Sequence, residues 1–473
     1  MRLLRPAGNE EDLLGQGLLK EMKLRIPENV NFIIDILRRH GHEAYAVGGC
    51  VRDSILARHP NDWDITTSAL PQQVKRLFKR TIDTGIQHGT VTVMMGKEGY
   101  EVTTYRVDGE YTDGRHPDKV TFTPSLTEDL KRRDFTINAM AYNEENGLVD
   151  LYGGMEDLQK HVIRCVGDPN ERFEEDALRV LRAVRFAAQL GFKIDPATWE
   201  AIKAHAGRLS CVSAERIRVE VTKLLESPNP MMFRLLYEAG MTAVFMPEFD
   251  VCMRTEQNTP FHIYNVGEHI LHSLTFVPED RILRLTMLLH DIGKPCVHRK
   301  DSRGIDHFKG HAAESATMAR AILKRLKFDN DTISRVSKLV YYHDLRPKAN
   351  ESAVRRALYE IGPELFADYL CVQRADNFAK NTGLLGSMFD RIDQVNQIYI
   401  RVIGRGDPLS LKDLKINGGD LVGIGIKGRA VGYILESALL MVLEKPELNE
   451  KELLMMYAGW KAGQMGESLR LPG

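Results

Sequence analysis

Asp62 and Asp64 flank a tryptophan in NDWDIT, residues 61–66. In an extended chain, residues i and i+2 face the same way. Their carboxylates can therefore converge on one cation, or they can simply face water. The upstream stretch YAVGGCVRD (45–53) bears on the choice. Gly48 and Gly49 remove side chains where a strand turns into a helix, so backbone N–H groups can approach a phosphate beside a favourable helix dipole. Arg52 can add a charge-assisted bond to the same anion. By itself the glycine pair is equally an ordinary tight turn. Phosphates and paired carboxylates share a natural bridge, Mg²⁺, which prefers oxygen ligands. Two such ions can activate a hydroxyl and stabilise a departing pyrophosphate.

A second set follows. In RRDFTINA, Asp134 and Asn138 lie four apart, one helical turn, which would put them on one face; Asp134 could also simply cap that helix. In EEDALRVLRAVRF, Asp176, Arg179, Arg182 and Arg185 recur every three residues among Ala, Leu and Val. Such a helix is apolar over most of its circumference and should be largely buried, and buried guanidinium groups need partners. An i,i+3 bridge from Asp176 to Arg179 would occupy two of the four. A ligand with phosphates and base edges would use them all. An Asp accepts from an exocyclic amine and an Arg donates to the ring nitrogen beside it. Cytosine and adenine offer that pair of groups; guanine and uracil do not.

These residues need elements to position them. Residues 18–40 read as a helix ending at Gly41, and AYAVGG (44–49) as a buried strand. GTVTVMM (89–95) and YEVTTYR (100–106) read as strands joined by a turn at KEG, with KVTFTP (119–124) as another. The polar, glycine-bearing segment between them, near 107–118, reads as mobile. From Asp168, a plausible N-cap followed by Pro169, helical periodicity takes over, from 171–190 through to 428–443. The 473 residues exceed one core, and 43% hydrophobic with 27% charged content is ordinary for a globular chain. There is no apolar run of about 18 residues, so no membrane span is expected. The N-terminus lacks a signal peptide's apolar centre. Six cysteines without a C-x-x-C pair fit a reducing cytoplasm. A net charge of -1 means that any nucleic-acid partner must meet a local basic surface.

G-G-x-V-R-D followed by D-x-D-I-T resembles the head motif of class II tRNA nucleotidyltransferases and bacterial poly(A) polymerases, in the polymerase-β-like superfamily. DLKRRDFTINAMAY (129–142), VDLYGGMEDL (149–158) and EEDALRVLRAVRFAAQLGF (174–192) resemble the following family motifs in order. The resemblance implies an α+β chain: a nucleotidyltransferase head with a mixed or antiparallel sheet, then an all-helical neck, body and tail. It implies CCA addition to tRNA from CTP and ATP, with Asp62 and Asp64 holding Mg²⁺. Gly48, Gly49, Arg52, Arg133, Arg182 and Arg185 would bind nucleotide phosphates or sugar, with Asp134 and Asn138 holding sugar and loop. Asp176 and Arg179, matching the family's E-D-x-x-R motif, would read the base. Glu101 is weighed as a third carboxylate but not adopted. Poly(A) synthesis, or addition of only CC or only A, is the nearest alternative.

Seven of the chain's 15 histidines fall between residues 262 and 311. The ordered series His269, His290-Asp291, His311, His343 and Asp376 suits transition metals and resembles the HD phosphohydrolase domain. That resemblance implies an unidentified divalent metal on His269, His290, Asp291 and Asp376, with His311 and His343 on a second metal or a phosphate. The expected division is therefore a head (1–165), a helical neck and RNA-binding region (166–260), an HD domain (261–385) and a helical tail (386–473). Lys203, Arg208, Arg216, Arg218 and Lys223 are candidate RNA contacts. A metallohydrolase with a non-catalytic, RNA-binding head is the rival from another class.

Overall fold

The computed structural model describes residues 22–108, 120–380, 383 and 386–466. The chain forms two compact units that divide between Phe245 and Met246. The first helix among the described residues is α1 (Glu28–Arg39); of the helix expected over 18–40, residues 18–21 lie outside the described residues and 22–27 are not helical. Pro27 sits at its N-cap, where the fixed φ is tolerated, and its carbonyl accepts from Val30 and Asn31 N–H. Val30, Ile33, Ile34 and Leu37 form the buried face.

A seven-stranded mixed sheet follows. Its strands are β1 (Ala44–Val47), β2 (Asp64–Thr67), β3 (Thr81–Gly85), β4 (Thr90–Met95), β5 (Glu98–Thr104), β8 (Met140–Asn143) and β9 (Gly147–Asp150), in the order β3-β4-β5-β2-β1-β8-β9. β2 and β5 run parallel; the other neighbours are antiparallel. The hairpin turn expected at KEG falls one residue earlier, because Glu98 and Gly99 already pair with Met95 and Met94. β6 (Arg106–Asp108) and β7 (Val120–Phe122) form a separate ribbon. The segment expected to be mobile lies mostly outside the described residues. Helices α2 (Gly49–Ile55), α3 (Pro71–Leu77), α4 (Leu126–Lys131) and α5 (Gly154–Lys160) connect the strands. β1 and β2 are central, so β1 is buried throughout, and β2 carries Asp64 as its exposed first residue.

The helix expected over 171–190 is two helices, α6 (Pro169–Glu175) and α7 (Leu178–Leu190). Asp168 does cap α6 through Asn170 N–H, with Pro169 at the first position. The break falls at Asp176, which is extended (φ -137°, ψ 105°) and accepts Leu178 N–H at 3.0 Å. A short carboxylate competes well for backbone donors, so this residue favours a helix start over a helix interior. α8 (Pro196–His205), α9 (Ala214–Leu225), α10 (Phe233–Glu238) and α11 (Thr242–Phe245) complete the unit.

The second unit is almost wholly helical. It contains α12 (Pro247–Met253), α13 (Val266–Leu274), α14 (Arg281–Leu289), α15 (Lys294–Val297), α16 (His311–Arg325), α17 (Asn330–Tyr342), α18 (Glu351–Ile361) and α19 (Phe366–Phe378). Then come α20 (Gly386–Arg405), α21 (Gly418–Gly423), α22 (Arg429–Glu444) and α23 (Lys451–Gln464). α14 is buried on nearly all sides and packs against α13, α17 and α19. α12 packs on α13. The helix over 451–464 is not evident from periodicity: Leu453, Met456 and Trp460 are apolar yet exposed, which blurs the face.

Candidate active site and metal cluster

The register of β2 on β5 sets Asp64 opposite Glu101. Asp62 lies two residues before, and these acids line a cleft of about 800 Å³ with Trp63 and Tyr100. Although Asp64 is open to the cleft, the protein around it displaces enough water to push its carboxyl above its ordinary value; Arg133 opposes the rise and Asp62 adds to it. Glu101 is pushed up by burial, then by Asp64 and Asp62. Carboxylates gathered at one strand end, with Asp64 and Glu101 both pushed up, are an electrostatic cost that a cation removes. Their oxygens are less closely gathered than those of the cluster in the second unit.

Gly48 leads from β1 into α2 with φ +84°, a conformation unfavourable for other residues. A Cβ there would lie 3.1 Å from Arg133 Nη1, so the glycine also admits the arginine. Arg133 Nε is buried without a hydrogen-bond partner. Its Nη2 lies 3.4 Å from the fully buried Asp129, which accepts from Arg132 and from Thr66 Oγ1 (3.0 Å) on the strand of Asp64.

The remaining predicted residues form one chain of alternating charge. Arg52 donates Nε and Nη2 to Asp53 (both 2.9 Å) and Nη1 to Asn138 Oδ1 (2.6 Å). Asn138 donates to Asp134 Oδ1 (3.1 Å), and Asp134 Oδ2 accepts from Arg182 Nε and Nη2 (2.9 and 2.6 Å). Asp134 and Asn138 do meet, but the link is a single 3-10 turn over Thr136–Asn138 rather than an α-helical turn. Glu220, buried on α9, takes Arg185 Nε at 2.6 Å and lies 3.7 Å from Arg182. Phe186 is the common platform: Arg52, Arg182 and Arg185 lie 5.0, 5.3 and 3.6 Å from its ring centroid. Burial opposes the charge of Asp134, but Arg182 and Asn138 overcome it and hold the carboxyl well below its usual range.

The side chains of Asp176 and Arg179 are not bonded to each other; the two residues meet only through the Arg179 N–H, which donates to the Asp176 carbonyl at 3.0 Å. Asp176 Oδ2 accepts from Arg216 Nη2 at 2.7 Å. Arg179 donates Nη1 to Glu175 (2.6 Å) and Nη2 to the Arg132 carbonyl (2.9 Å). Arg216, expected on an RNA-facing surface, thus turns inward, and its Nη1 is buried without a partner. Sequence reasoning passed over Asp53, Phe186 and Glu220. Asp53 and Glu220 lay in view within V-R-D and E-R-I-R-V-E, but nothing local tied them to the arginines.

In the second unit all six predicted metal-site residues converge. The ligand atoms of His269, His290, Asp291 and Asp376 lie within 4.8 Å of one another, and so do those of Asp291, His311 and His343. Asp291 is common to both groups. Each ring uses Nδ1 on a backbone carbonyl: His290 on Met287 (2.7 Å), His311 on Phe308 (2.9 Å), His343 on Val340 (2.7 Å) and His269 on Ala379 (3.2 Å). A carbonyl only accepts, so Nδ1 must hold the proton and a neutral ring turns its Nε2 lone pair inward. His269 Nε2 is 3.2 Å from His290 Nε2, and His311 Nε2 is 3.0 Å from His343 Nε2. Four inward Nε2 atoms and two buried carboxylates facing one centre fit divalent metal ions. Burial opposes the charge of His290, but Asp291 pushes its pKa up to about 9, so a metal bound there would displace a proton from it.

Asp291 Oδ2 lies 2.6 Å from Lys294 Nζ but accepts no well-directed hydrogen bond. Asp291 and Asp376 are both held well below the usual carboxylate range; burial opposes this, and His290 and Lys380 respectively lead the opposing charges. Gly293 lets the turn after Asp291 pack on α16, since a Cβ would lie 2.5 Å from Ser315 N. Lys294, Lys380 and His262 also line this cavity and were not foreseen.

A mixed sheet with acids at a strand end, a glycine turn beside them and a buried arginine chain behind defines a nucleotidyltransferase head. Residues 44–164 match the Poly A polymerase head domain family. Residues 191–253 match "Probable RNA and SrmB- binding site of polymerase A", and residues 310–458 match tRNA nucleotidyltransferase domain 2. The CCA-adding enzyme of Limosilactobacillus fermentum is 35% identical over 430 residues, 90% of this chain and 95% of that one. That of Limosilactobacillus reuteri is 55% identical over 199 residues, so the match spans 42% of this chain and 49%, about half, of that relative. Among solved structures, the Bacillus stearothermophilus CCA-adding enzyme in complex with CTP superposes with a TM-score of 0.71 at 30% identity, covering 92% of this chain and 97% of that one. The Thermotoga maritima CCA-adding enzyme complexed with tRNA shares the fold at a TM-score of 0.57 and 21% identity, covering 94% and 98%. The chain belongs to the CCA-adding enzyme family.

Proposed function

We propose that this chain adds C, C and A in turn to the 3′ end of tRNA without a nucleic-acid template, using CTP and ATP and releasing pyrophosphate. The observation that carries it is the pairing of Asp64 with Glu101 beside Asp62, at a cleft served by Arg133. Mg²⁺ held by Asp62 and Asp64 supplies Lewis acidity toward the reacting oxygens. The amide of Gly49 and the unpartnered Nε of Arg133 receive the triphosphate, whereas the Gly48 amide donates to the Met140 carbonyl (3.2 Å) and holds the turn instead. Arg52, Asn138 and Asp134 hold the glycine turn and α7 in one arrangement. Arg182, whose side chain is 32% exposed, keeps an edge for phosphate or sugar, while Arg185 is occupied by Glu220 and Gln189. Asp176 accepts from the base's exocyclic amine, and Arg179 donates a remaining N–H to the neighbouring ring nitrogen. The RNA 3′-hydroxyl gives its proton to solvent in the open cleft as its oxygen bonds to the α-phosphorus, and the bond from that phosphorus to the pyrophosphate oxygen breaks.

The test offers tRNAs ending before CCA, after C and after CC, with each nucleoside triphosphate separately. Ordered use of CTP, CTP and ATP is expected. Equal use of GTP and UTP overturns the base-reading roles, and long A tracts on the same primers would make the chain a poly(A) polymerase.

A second reading concerns the second unit: a metal-dependent phosphohydrolase. The inward Nε2 atoms of His269, His290, His311 and His343 support it. Metal-dependent phosphate release that survives Asp62→Ala and is lost in His290→Ala is the expected result.

A further inference from the structure

Asp129 is a fully buried carboxylate on α4. Three segments of the first unit converge on its two oxygens: β2, the start of β6, and the turn after α4. Oδ1 accepts from Arg132 Nε and Nη2 (3.0 and 2.7 Å) and from the Arg106 N–H (3.4 Å). Oδ2 accepts from Thr66 Oγ1 (3.0 Å) and from Arg133 Nη2 (3.4 Å). Burial opposes the charge of Asp129, but Arg132 and Arg133 hold its carboxyl below the usual range.

Each donor belongs to a different part of the cleft. Thr66 lies two residues after Asp64 on β2, so both side chains leave one face of the sheet. It stands opposite Thr103 as Asp64 stands opposite Glu101. Arg133 carries the buried, unpartnered Nε, and its Nη1 occupies the space that the missing Gly48 side chain leaves. Arg106 opens β6, the first strand of the β6–β7 ribbon, and its Nη1 donates to the His88 carbonyl at 2.5 Å. Neutralising Arg132 would need only one carboxylate. Here Arg132 and Arg133 share it, so the three groups together keep one positive charge, which a triphosphate can answer.

We propose that Asp129 is a positioning residue for nucleotide transfer. It holds the Arg133 guanidinium at a set distance from the strand of Asp64, and it ties the root of the ribbon to the same point. The triphosphate then meets an arginine that is already oriented, and little side-chain ordering is left to binding. This rests on the nucleotide-transfer reading of the cleft.

The experiment uses the full chain with Mg²⁺, CTP and a tRNA lacking CCA. Asp129→Asn keeps the shape and removes the charge. It should raise the KM for CTP about tenfold while kcat changes less than about threefold. A merely structural loss acts the other way, because misfolded molecules lower the apparent kcat and leave KM alone. In an Arg133→Ala background, Asp129→Asn should add less than about twofold, since the group it aims is gone. Hydrogen exchange at the Arg106 amide should quicken in Asp129→Asn; unchanged exchange overturns the tie to the ribbon. If Asp129→Asn does not fold, Thr66→Val decides: it cuts only the tie to β2 and should raise the KM about threefold. Equilibrium dialysis of CTP without RNA should give the same ratios independently of transfer. A parent chain that binds CTP but transfers nothing defeats the transfer reading and leaves dialysis to decide Asp129; one that binds no CTP overturns both. Unchanged KM and CTP binding, or a full effect that persists without Arg133, overturn the positioning role.

Discussion

Asp64 and Glu101 face the same cleft from neighbouring parallel strands; desolvation raises the cost of ionising both, and Asp64 adds to that of Glu101. A cation there stabilises both, so removing either carboxylate should act on the joining step rather than on base choice. Asp64→Asn is expected to slow nucleotide incorporation at least about 100-fold, several kcal/mol of lost transition-state stabilisation, and Glu101→Gln less. Single-turnover incorporation of CTP on a tRNA lacking CCA measures it; a rate within threefold of the parent would remove Asp64 from the chemistry. Asp176 should behave in the opposite way. Its Oδ2 is held by Arg216, so its acceptor edge is oriented rather than loose. Asp176→Asn replaces part of that edge with donors and should erode preference for CTP over UTP by about tenfold, the worth of one hydrogen bond. Competition between the two triphosphates on one primer reads this directly.

At the scale of the element, α7 is a buried helix whose charges are answered from other segments. Arg182 finds Asp134, Arg185 finds Glu220, and Phe186 packs among three guanidinium groups. Removing one member leaves buried charge without a partner. Glu220→Ala should therefore destabilise the first unit by about 3 kcal/mol, seen as a lower urea midpoint, whereas a surface change such as Glu200→Ala should be near neutral. The pH dependence has a definite sign. Asp134 titrates below its unfolded value of about 3.9, so its contribution is complete above that pH and is lost as pH falls through the folded value. The unfolding midpoint should owe none of its pH dependence between pH 5 and 7 to Asp134, whose contribution is constant there, and an Asp134→Asn variant should lose less stability than the parent on acidification below about pH 4.

For the whole molecule, two compact units carry two unlike sites. One offers exposed carboxylates suited to Mg²⁺; the other offers buried imidazoles and carboxylates suited to a transition metal. His290→Ala should strip a transition metal from purified protein, measured by elemental analysis, while Mg²⁺-dependent incorporation persists. Equal metal content in parent and variant would remove His290 from the cluster. Among the described residues no helix is long and apolar enough to cross a membrane.

Much of this was legible in the chain's own order of residues. The head motif, the strands around 44–49, 89–95 and 100–106, and the histidine series all rest on local spacing, which sequence states directly. The convergence of the His/Asp series was readable for the same reason: His290 and His343 follow helices, His311 begins one, His269 sits inside α13, and His-Asp adjacency is a sequence fact. What periodicity could not supply was partnership. It joined Asp176 to Arg179 on one helix, whereas a carboxylate claiming Leu178 N–H broke that helix and left Asp176 to Arg216, 40 residues away. It offered four arginines without answers, because Asp134 and Glu220 reach them only when separate segments pack together. The types of residue and their spacing determined which chemistry this protein can hold. Only the tertiary structure decided which charge meets which, because burial makes an unpaired charge costly and the fold must supply its partner from wherever in the chain one can be brought.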